Sequence, residues 1–231
     1  MVTMEFTGID KLSLLDYEDF VSVVLFTPKC NFRCPFCHNG KTVLESDVEI
    51  DFDEILSYLQ TRKGLIDAVV ITGGEPTLMS ELKERIIKIK ELGLRVKLDT
   101  NGSNPEVLKD LVNSKLLDYV AMDIKNSMNE YPRTCGVRKV DENKLKESIN
   151  YLLENNVDYE FRTTLVKEFH SEESIKEMSE LIKGAKRLYL QKFVDREGVL
   201  QPGLHEVSQE EAEKYASLLR DSVKEVNLRG Y

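Results

Sequence analysis

Six apolar, β-branched runs recur along the 231-residue chain, with amphipathic stretches between them, and this alternation restricts the fold more than any other feature of the sequence. The runs cover residues 20–27, 66–72, 94–100, 117–124, 157–166 and 187–194. Near-continuous apolar character marks strands covered on both faces. Strand-helix units in series imply parallel strands with right-handed crossovers, hence an open doubly wound sheet or a partial barrel. Periodicity does not choose between these. Helix limits are legible too. Asp51 with Glu54 and Ser208 with Glu211 read as capping pairs, Asn104 before Pro105 as a cap and first helical residue, and Gly93 as a left-handed stop. The predicted organisation is one α/β domain over 1–231, with an arm or short strand in 1–19, six βα units in 20–200 and, within 201–231, a helix running to about Val226.

The formal charge of −9 comes from 41 acidic and 32 basic residues mixed along the chain, without the basic runs of a nucleic-acid or membrane-surface binder. No apolar stretch approaches the roughly eighteen residues of a membrane helix. The acidic start from Met1 to Glu5 lacks a basic region followed by an apolar one. The expectation is a cytoplasmic protein that binds neither nucleic acid nor membrane.

In parallel α/β folds the C-terminal strand ends carry the site. After the first run come Cys30, Cys34 and Cys37; after the second, Gly73-Gly74-Glu75-Pro76; after the third, Asp99-Thr100-Asn101-Gly102; after the fourth, Asp123-Ile124-Lys125. Three thiolates on one short loop can hold three corners of a cubane iron–sulfur cluster, leaving one iron free to bind something else. Pairwise disulfides would leave one of the three unpaired, with Cys135 remote in sequence. A structural zinc site stays open as the plainer reading, although it needs a fourth ligand and His38 follows Cys37 directly, where successive side chains tend to point apart. Paired glycines let backbone come close to a ligand, and Glu75 adds a carboxylate suited to an ammonium group. The alternative for Gly-Gly-Glu is a tight strand-to-helix turn.

Cys-x3-Cys-x2-Cys with Phe36 before the third cysteine, followed by Gly-Gly-Glu-Pro after the next strand, resembles the radical S-adenosylmethionine superfamily. The runs Cys37-His38-Asn39, Lys11 to Tyr17, Asp99 to Gly102 and Met122 to Lys125 are similar to those of glycyl-radical enzyme activases, above all the activases of anaerobic ribonucleoside-triphosphate reductase. The resemblance implies a partial (β/α)6 TIM-like barrel in which Cys30, Cys34 and Cys37 hold a [4Fe-4S] cluster whose unique iron binds the methionyl amino and carboxylate groups of S-adenosyl-L-methionine. The backbone from Phe36 to His38 would lie along the adenine. Gly73, Gly74 and Glu75 would meet the amino group, supported by Asp99. Asp123, Ile124 and Lys125 would contact ribose and carboxylate, with Arg162 and Gln191 at later strand ends. The implied reaction is reductive cleavage to methionine and a 5′-deoxyadenosyl radical, which takes hydrogen from a glycine of a partner enzyme, with a flavodoxin- or ferredoxin-type protein as electron donor. Activation of pyruvate formate-lyase, or direct action on a small metabolite, is the runner-up.

The chain departs from the family pattern in three places. Lys29 stands where relatives often have glycine, Asp16-Tyr17-Glu18-Asp19 replaces Asp-Tyr-Pro-Gly, and Val194 stands where formate-lyase activases place a histidine. A positive Lys29 would raise the cluster's potential unless solvent screens it. Cys135 reads as a plain free thiol, with a redox or substrate contact as the alternative. His170 and His205, in polar context, read as surface residues. His38 either reaches the adenine or cluster sulfurs or orients its loop.

Overall fold

The structure is a computed structural model describing residues 5–40 and 48–231. The first four residues of the acidic start lie outside the described residues. One sheet runs in chain order through β1 (Gly8–Ser13), β2 (Ser22–Thr27), β3 (Ala68–Gly73), β4 (Arg95–Thr100), β5 (Tyr119–Asp123), β6 (Tyr159–Leu165), β7 (Arg187–Lys192) and β8 (Glu225–Arg229). β1 is antiparallel to β2, and every later pairing is parallel. The helices are α1 (Phe52–Thr61), α2 (Leu82–Glu91), α3 (Pro105–Asn113), the short α4 (Tyr131–Thr134), α5 (Glu142–Leu153), α6 (Glu172–Leu181) and α7 (Gln209–Leu219). This is a partial TIM-like barrel, with β1 and β8 as its two edges.

All six expected runs are strands, and the arm is β1. The end of the chain corrects the expectation. The last helix stops at Leu219, and residues 225–229 add a further parallel strand beside β7. Val226 and Leu228 alternate with Glu225, Asn227 and Arg229, a period of two that places both apolar side chains on the core face of a strand.

Each strand splits its residues between two environments. Val23 and Leu25, Val69 and Ile71, Val96 and Leu98, and Val120 and Met122 pack with the helices in one apolar core. The alternate positions face the concave side. On β2 and β3 these are Val24, Ala68 and Val70, packed with Tyr17 of the turn after β1. From β4 onward they include charged residues, and Lys97, Asp99 and Glu160 are at most 8% exposed. Such burial costs stability unless each charge is paired. Lys97 Nζ lies 3.6 Å from Asp99 Oδ1 and also donates to the Asp16 carbonyl, while Tyr119 donates to Glu160 at 3.1 Å. The turn after β1 therefore reaches across the concave face, and Tyr189 on β7 donates to its Glu18 at 3.2 Å.

The helix limits follow the capping chemistry. The Asp51 carboxylate accepts from the amides of Asp53 and Glu54 at 2.7 and 3.3 Å, and the Ser208 hydroxyl accepts from Glu211 at 3.2 Å. Gly93 terminates α2 at φ +82°. Asn104 occupies the cap position of α3, but its side chain caps nothing. Its amide instead donates to the Thr77 hydroxyl at 2.9 Å, tying together the segments after β3 and β4.

Candidate active site

The cysteine loop is anchored by the residues between its thiols. Phe32 and Phe36 are buried with Tyr131, Val140, Leu145 and Phe193 in a second apolar cluster that also contains Cys34 and Cys135. Phe36 meets Phe169 at 5.8 Å between ring centroids. Backbone bonds fix the path: Cys37 donates to Cys34 at 3.0 Å, Arg33 to the Cys135 carbonyl at 2.8 Å, and Gln201 to the Pro35 carbonyl at 2.8 Å. The His38 ring stacks on Phe193 at 5.6 Å, and its Nε2–H donates to the Val194 carbonyl at 3.0 Å. These contacts orient the loop, and His38 also lines the cavity described below.

Cys30, Cys34 and Cys37 are all unpaired thiols and line one cavity of about 470 Å³ at the C-terminal ends of the strands. Burial pushes the Cys30 thiol up to about 12 and also raises Cys37. Ionising buried thiols therefore requires positive charge beside them, which iron supplies. Donors are already aimed at the sulfurs. The Phe32 amide lies 3.4 Å from Cys30 Sγ, the Asn101 side-chain amide 3.9 Å from the same atom, and the Asn39 amide bonds Cys37. A hydrogen bond from the Cys135 thiol holds Cys34 below the usual thiol range, while burial and the same bond hold Cys135 above it. Among the described residues, no three His, Cys, Asp or Glu side chains are placed to ligate a single metal ion. Sulfurs set around a larger cluster fit that finding better than a mononuclear zinc site with bonds of about 2.3 Å.

Facing the thiols is a chain of charges from β4, β5 and β6. Arg162 donates to Asp123 at 3.0 Å and to Asp99 at 2.9 Å, and Lys125 donates to Asp123 at 2.8 Å. Burial would raise the Asp123 carboxyl, but Arg162 and Lys125 outweigh it and hold it at about 2. Asp123 likewise raises Lys125 and Arg162 against the effect of burial. The cavity therefore carries fixed charges of both signs. Asp99 Oδ1 is buried without a hydrogen bond, 3.6 Å from Lys97 Nζ.

Of the residues singled out from the sequence, Phe36, His38, Gly73, Gly74, Asp99 and Asp123 line this cavity, as do Lys125, Arg162 and Gln191. Glu75 and Ile124 do not. The Glu75 carboxylate is buried and saturated by the Thr77 amide and hydroxyl, the Thr100 hydroxyl and the Asn101 amide at 2.5–3.1 Å, so it joins β3 to β4 and is not offered to a ligand's ammonium group. Ile124 is fully buried in the apolar core. The glycine pair is needed chiefly by protein backbone. A Cβ on Gly74 would lie 1.8 Å from the Lys29 carbonyl oxygen, and one on Gly73, at φ +109°, would lie 2.4 Å from the Thr27 amide.

Asn101, Thr164 and Arg196 also line the cavity. Asn101 lay within a noted run but had no signal of its own. Arg196 comes from the loop after β7, where the sequence shows only exposed charge. Two histidines separate on inspection. His205 is exposed and paired with Glu168 at 2.7 Å, whereas the surface reading of His170 is wrong, since it is buried to 5% exposure. Its Nδ1 accepts from the Val166 amide at 3.1 Å and its Nε2–H donates to the Lys125 carbonyl at 3.0 Å.

A thiol-lined mouth over parallel strand ends, with paired charges opposite the thiols, defines a class of protein that holds a metal–sulfur centre beside a small zwitterionic ligand. Residues 24–182 match the family described as Radical SAM superfamily. A Methanocaldococcus jannaschii protein named as a glycyl-radical enzyme activating enzyme is 39% identical over 194 residues, 81% of this chain and 79% of its own. The pyruvate formate-lyase-activating enzyme of Staphylococcus aureus is 31% identical over 46% of this chain, which spans 47% of that protein. Streptococcus suis SuiB bound to S-adenosylmethionine shares the fold at TM-score 0.69 and 16% identity, over 87% of this chain and 48% of that one. The chain belongs to the radical SAM superfamily. Its cofactors are the [4Fe-4S] cluster and S-adenosylmethionine that characterise the superfamily.

Proposed function

We propose that the protein is the activating enzyme of a glycyl-radical enzyme, anaerobic ribonucleoside-triphosphate reductase in the first place, with a low-potential flavodoxin or ferredoxin as electron donor. The observation that carries the reading is the similarity, along four-fifths of both chains, to a relative named as a glycyl-radical enzyme activating enzyme. The choice of reductase rests on the Cys37-His38-Asn39, Asp99 to Gly102 and Met122 to Lys125 runs.

Cys30, Cys34 and Cys37 would hold the cluster, which when bound and reduced would supply the electron for reductive cleavage of S-adenosylmethionine. The chain's own residues position the nucleotide. Lys125 and Arg162 supply cations for a carboxylate, Asp99 adds a negative charge to the cavity lining for an ammonium group, and Asp123 accepts from hydroxyls. Because Arg162 grips both aspartates, the ligand meets a prearranged set of charges and little reorganisation is required. Apolar packing of Phe32 and Phe36 behind the thiols limits water at the reacting centre.

The test is anaerobic reconstitution followed by reduction with S-adenosylmethionine, alone and with purified glycyl-radical candidates. Deoxyadenosine formation together with a glycyl doublet in the electron paramagnetic resonance spectrum, strongest on the reductase, is expected. Deoxyadenosine with no glycyl signal on any candidate, and consumption of a small metabolite, would favour the runner-up.

A further inference from the structure

The cysteine loop and the segment from α4 onward make a basic surface on a chain that is acidic overall. Residues 28–40 and 131–140 hold Lys29, Arg33, Arg133, Arg138 and Lys139 and no Asp or Glu, in a sequence with 41 acidic and 32 basic residues. The fold brings the two segments together. Arg33 donates its amide to the Cys135 carbonyl at 2.8 Å, and a Cβ on Gly136 would lie 2.1 Å from the Arg33 carbonyl oxygen. Val137 and Val140 pack in the same apolar cluster as Phe32 and Cys34. Lys29, Arg33, Arg138 and Lys139 are exposed. Arg33 bonds carbonyls of its own loop, at Cys30 and Phe32, and among the described residues no carboxylate pairs with any of the four. Arg133 is taken up by Glu130 at 3.1 Å, and Asp141, the next carboxylate along the chain, caps its own helix by accepting from the Lys144 amide at 3.3 Å. None of the four free cations lines the cavity, so they cover the outer side of the thiol loop and leave the mouth open.

We propose that this surface docks a small acidic electron-carrier protein, which delivers one electron to the cluster through the thiol loop. Unpaired surface cations add little to stability, but gathered in one place they steer an oppositely charged partner and orient it as it arrives. The rest of a chain with net charge −9 repels the same partner, which favours contact at this one site. The site is also the right one for the electron. Arg33 lies between Cys30 and Cys34, so a protein resting on the four cations is separated from the thiols by the loop itself. Electron-transfer encounters are weak and bury under about 1,200 Å², an area that four side chains around one loop suit. In the step itself the donor is oxidised by one electron and the cluster reduced by one, with no bond or proton changing hands. The proposal rests on the cluster and on the external donor of the proposed function, and does not depend on which glycine is activated.

The test uses flavodoxin as the acidic probe: its binding to the reconstituted protein by titration calorimetry, and the rate at which its reduced form reduces the cluster. Both are measured at about 0.01 M and about 1 M salt, where the Debye length is about 30 and about 3 Å. In Arg138→Glu/Lys139→Glu, affinity and rate at low salt should fall about tenfold, and at high salt should match the parent within about twofold. If that variant loads less iron, Arg138→Gln/Lys139→Gln takes its place, with a fall of about threefold. Lys63→Glu/Lys224→Glu reverses two exposed cations that precede β3 and β8, at the opposite ends of the strands, and should stay near the parent. Reduction by dithionite should be unchanged throughout. Equal flavodoxin affinity and rate in the parent and the Arg138/Lys139 variants would overturn the proposal, as would an equal loss in Lys63→Glu/Lys224→Glu or a loss shared by dithionite. So would a variant that spares flavodoxin but weakens dithionite-driven glycyl formation, since the surface would then belong to the activated enzyme. The flavodoxin readouts involve neither S-adenosylmethionine nor glycine, so failure of the glycyl reading is told apart from failure of this one.

Discussion

Lys29 holds a left-handed backbone at φ +59°, directly before Cys30, and Asp19 does the same at φ +68°. Both stand where relatives often have glycine, so the chain retains the turn geometry and bears its cost in side-chain crowding, about 1–2 kcal/mol for a non-glycine residue. Lys29→Gly is expected to raise stability by about 0.5–1 kcal/mol, the unfolded chain's extra freedom offsetting part of the gain. A higher urea midpoint with unchanged slope would show it. Gly74→Ala should have the opposite character. A methyl group cannot share space with the Lys29 carbonyl oxygen, so the loop must move, and anaerobic reconstitution should load less than half the parental iron. None of these backbone demands shows in composition. The cysteine spacing was legible because metal chemistry fixes residue type, whereas Glu75, equally prominent in the motif, is consumed by hydrogen bonds that only the folded β3–β4 junction creates.

At the scale of elements, the turn between β6 and α6 shows how tertiary structure overrides local context. The run Lys167 to Glu173 is polar, yet it folds so that His170 bridges the Val166 amide and the Lys125 carbonyl, and Tyr215 of α7 donates to the His170 carbonyl at 3.3 Å. Burial lowers the affinity of this imidazole for a proton below the ordinary value of 6.5. The unfolded chain therefore binds the proton first as pH drops. The contribution of neutral His170 to stability is full above pH 6.5 and is lost as pH falls from there toward its lower folded value. Urea unfolding at pH 7.5 and 5.5 should show a loss on acidification that is smaller in His170→Gln. The six interior strands were legible because each carries buried apolar residues on its helix-facing side within a longer β-branched run, and β8 was missed because only alternate residues of a five-residue segment are covered.

For the whole molecule, the concave face is stabilised by complementarity of charge. The line Lys97, Asp99, Arg162, Asp123, Lys125 crosses three strands, and removing one member strands its neighbours in a poorly hydrated interior. Asp123→Asn should destabilise the fold by about 3 kcal/mol and raise the S-adenosylmethionine concentration for half-maximal deoxyadenosine formation, checked by denaturation and steady-state kinetics. It should also flatten the acid limb. The depressed Asp123 carboxyl contributes stability present above its ordinary 3.8 and lost as pH falls toward about 2, a loss the variant lacks.

The sheet does not close on itself, since β1 and β8 are not paired with one another. Open flanks invite neighbouring copies to stack into ribbons, yet each carries its own guard. Asp10 and Lys11 stand on one flank and Glu225 and Arg229 on the other, charges that would need to be stripped of water before a second copy could zip onto either. The unsealed wall is thereby kept from becoming a seed for aggregation.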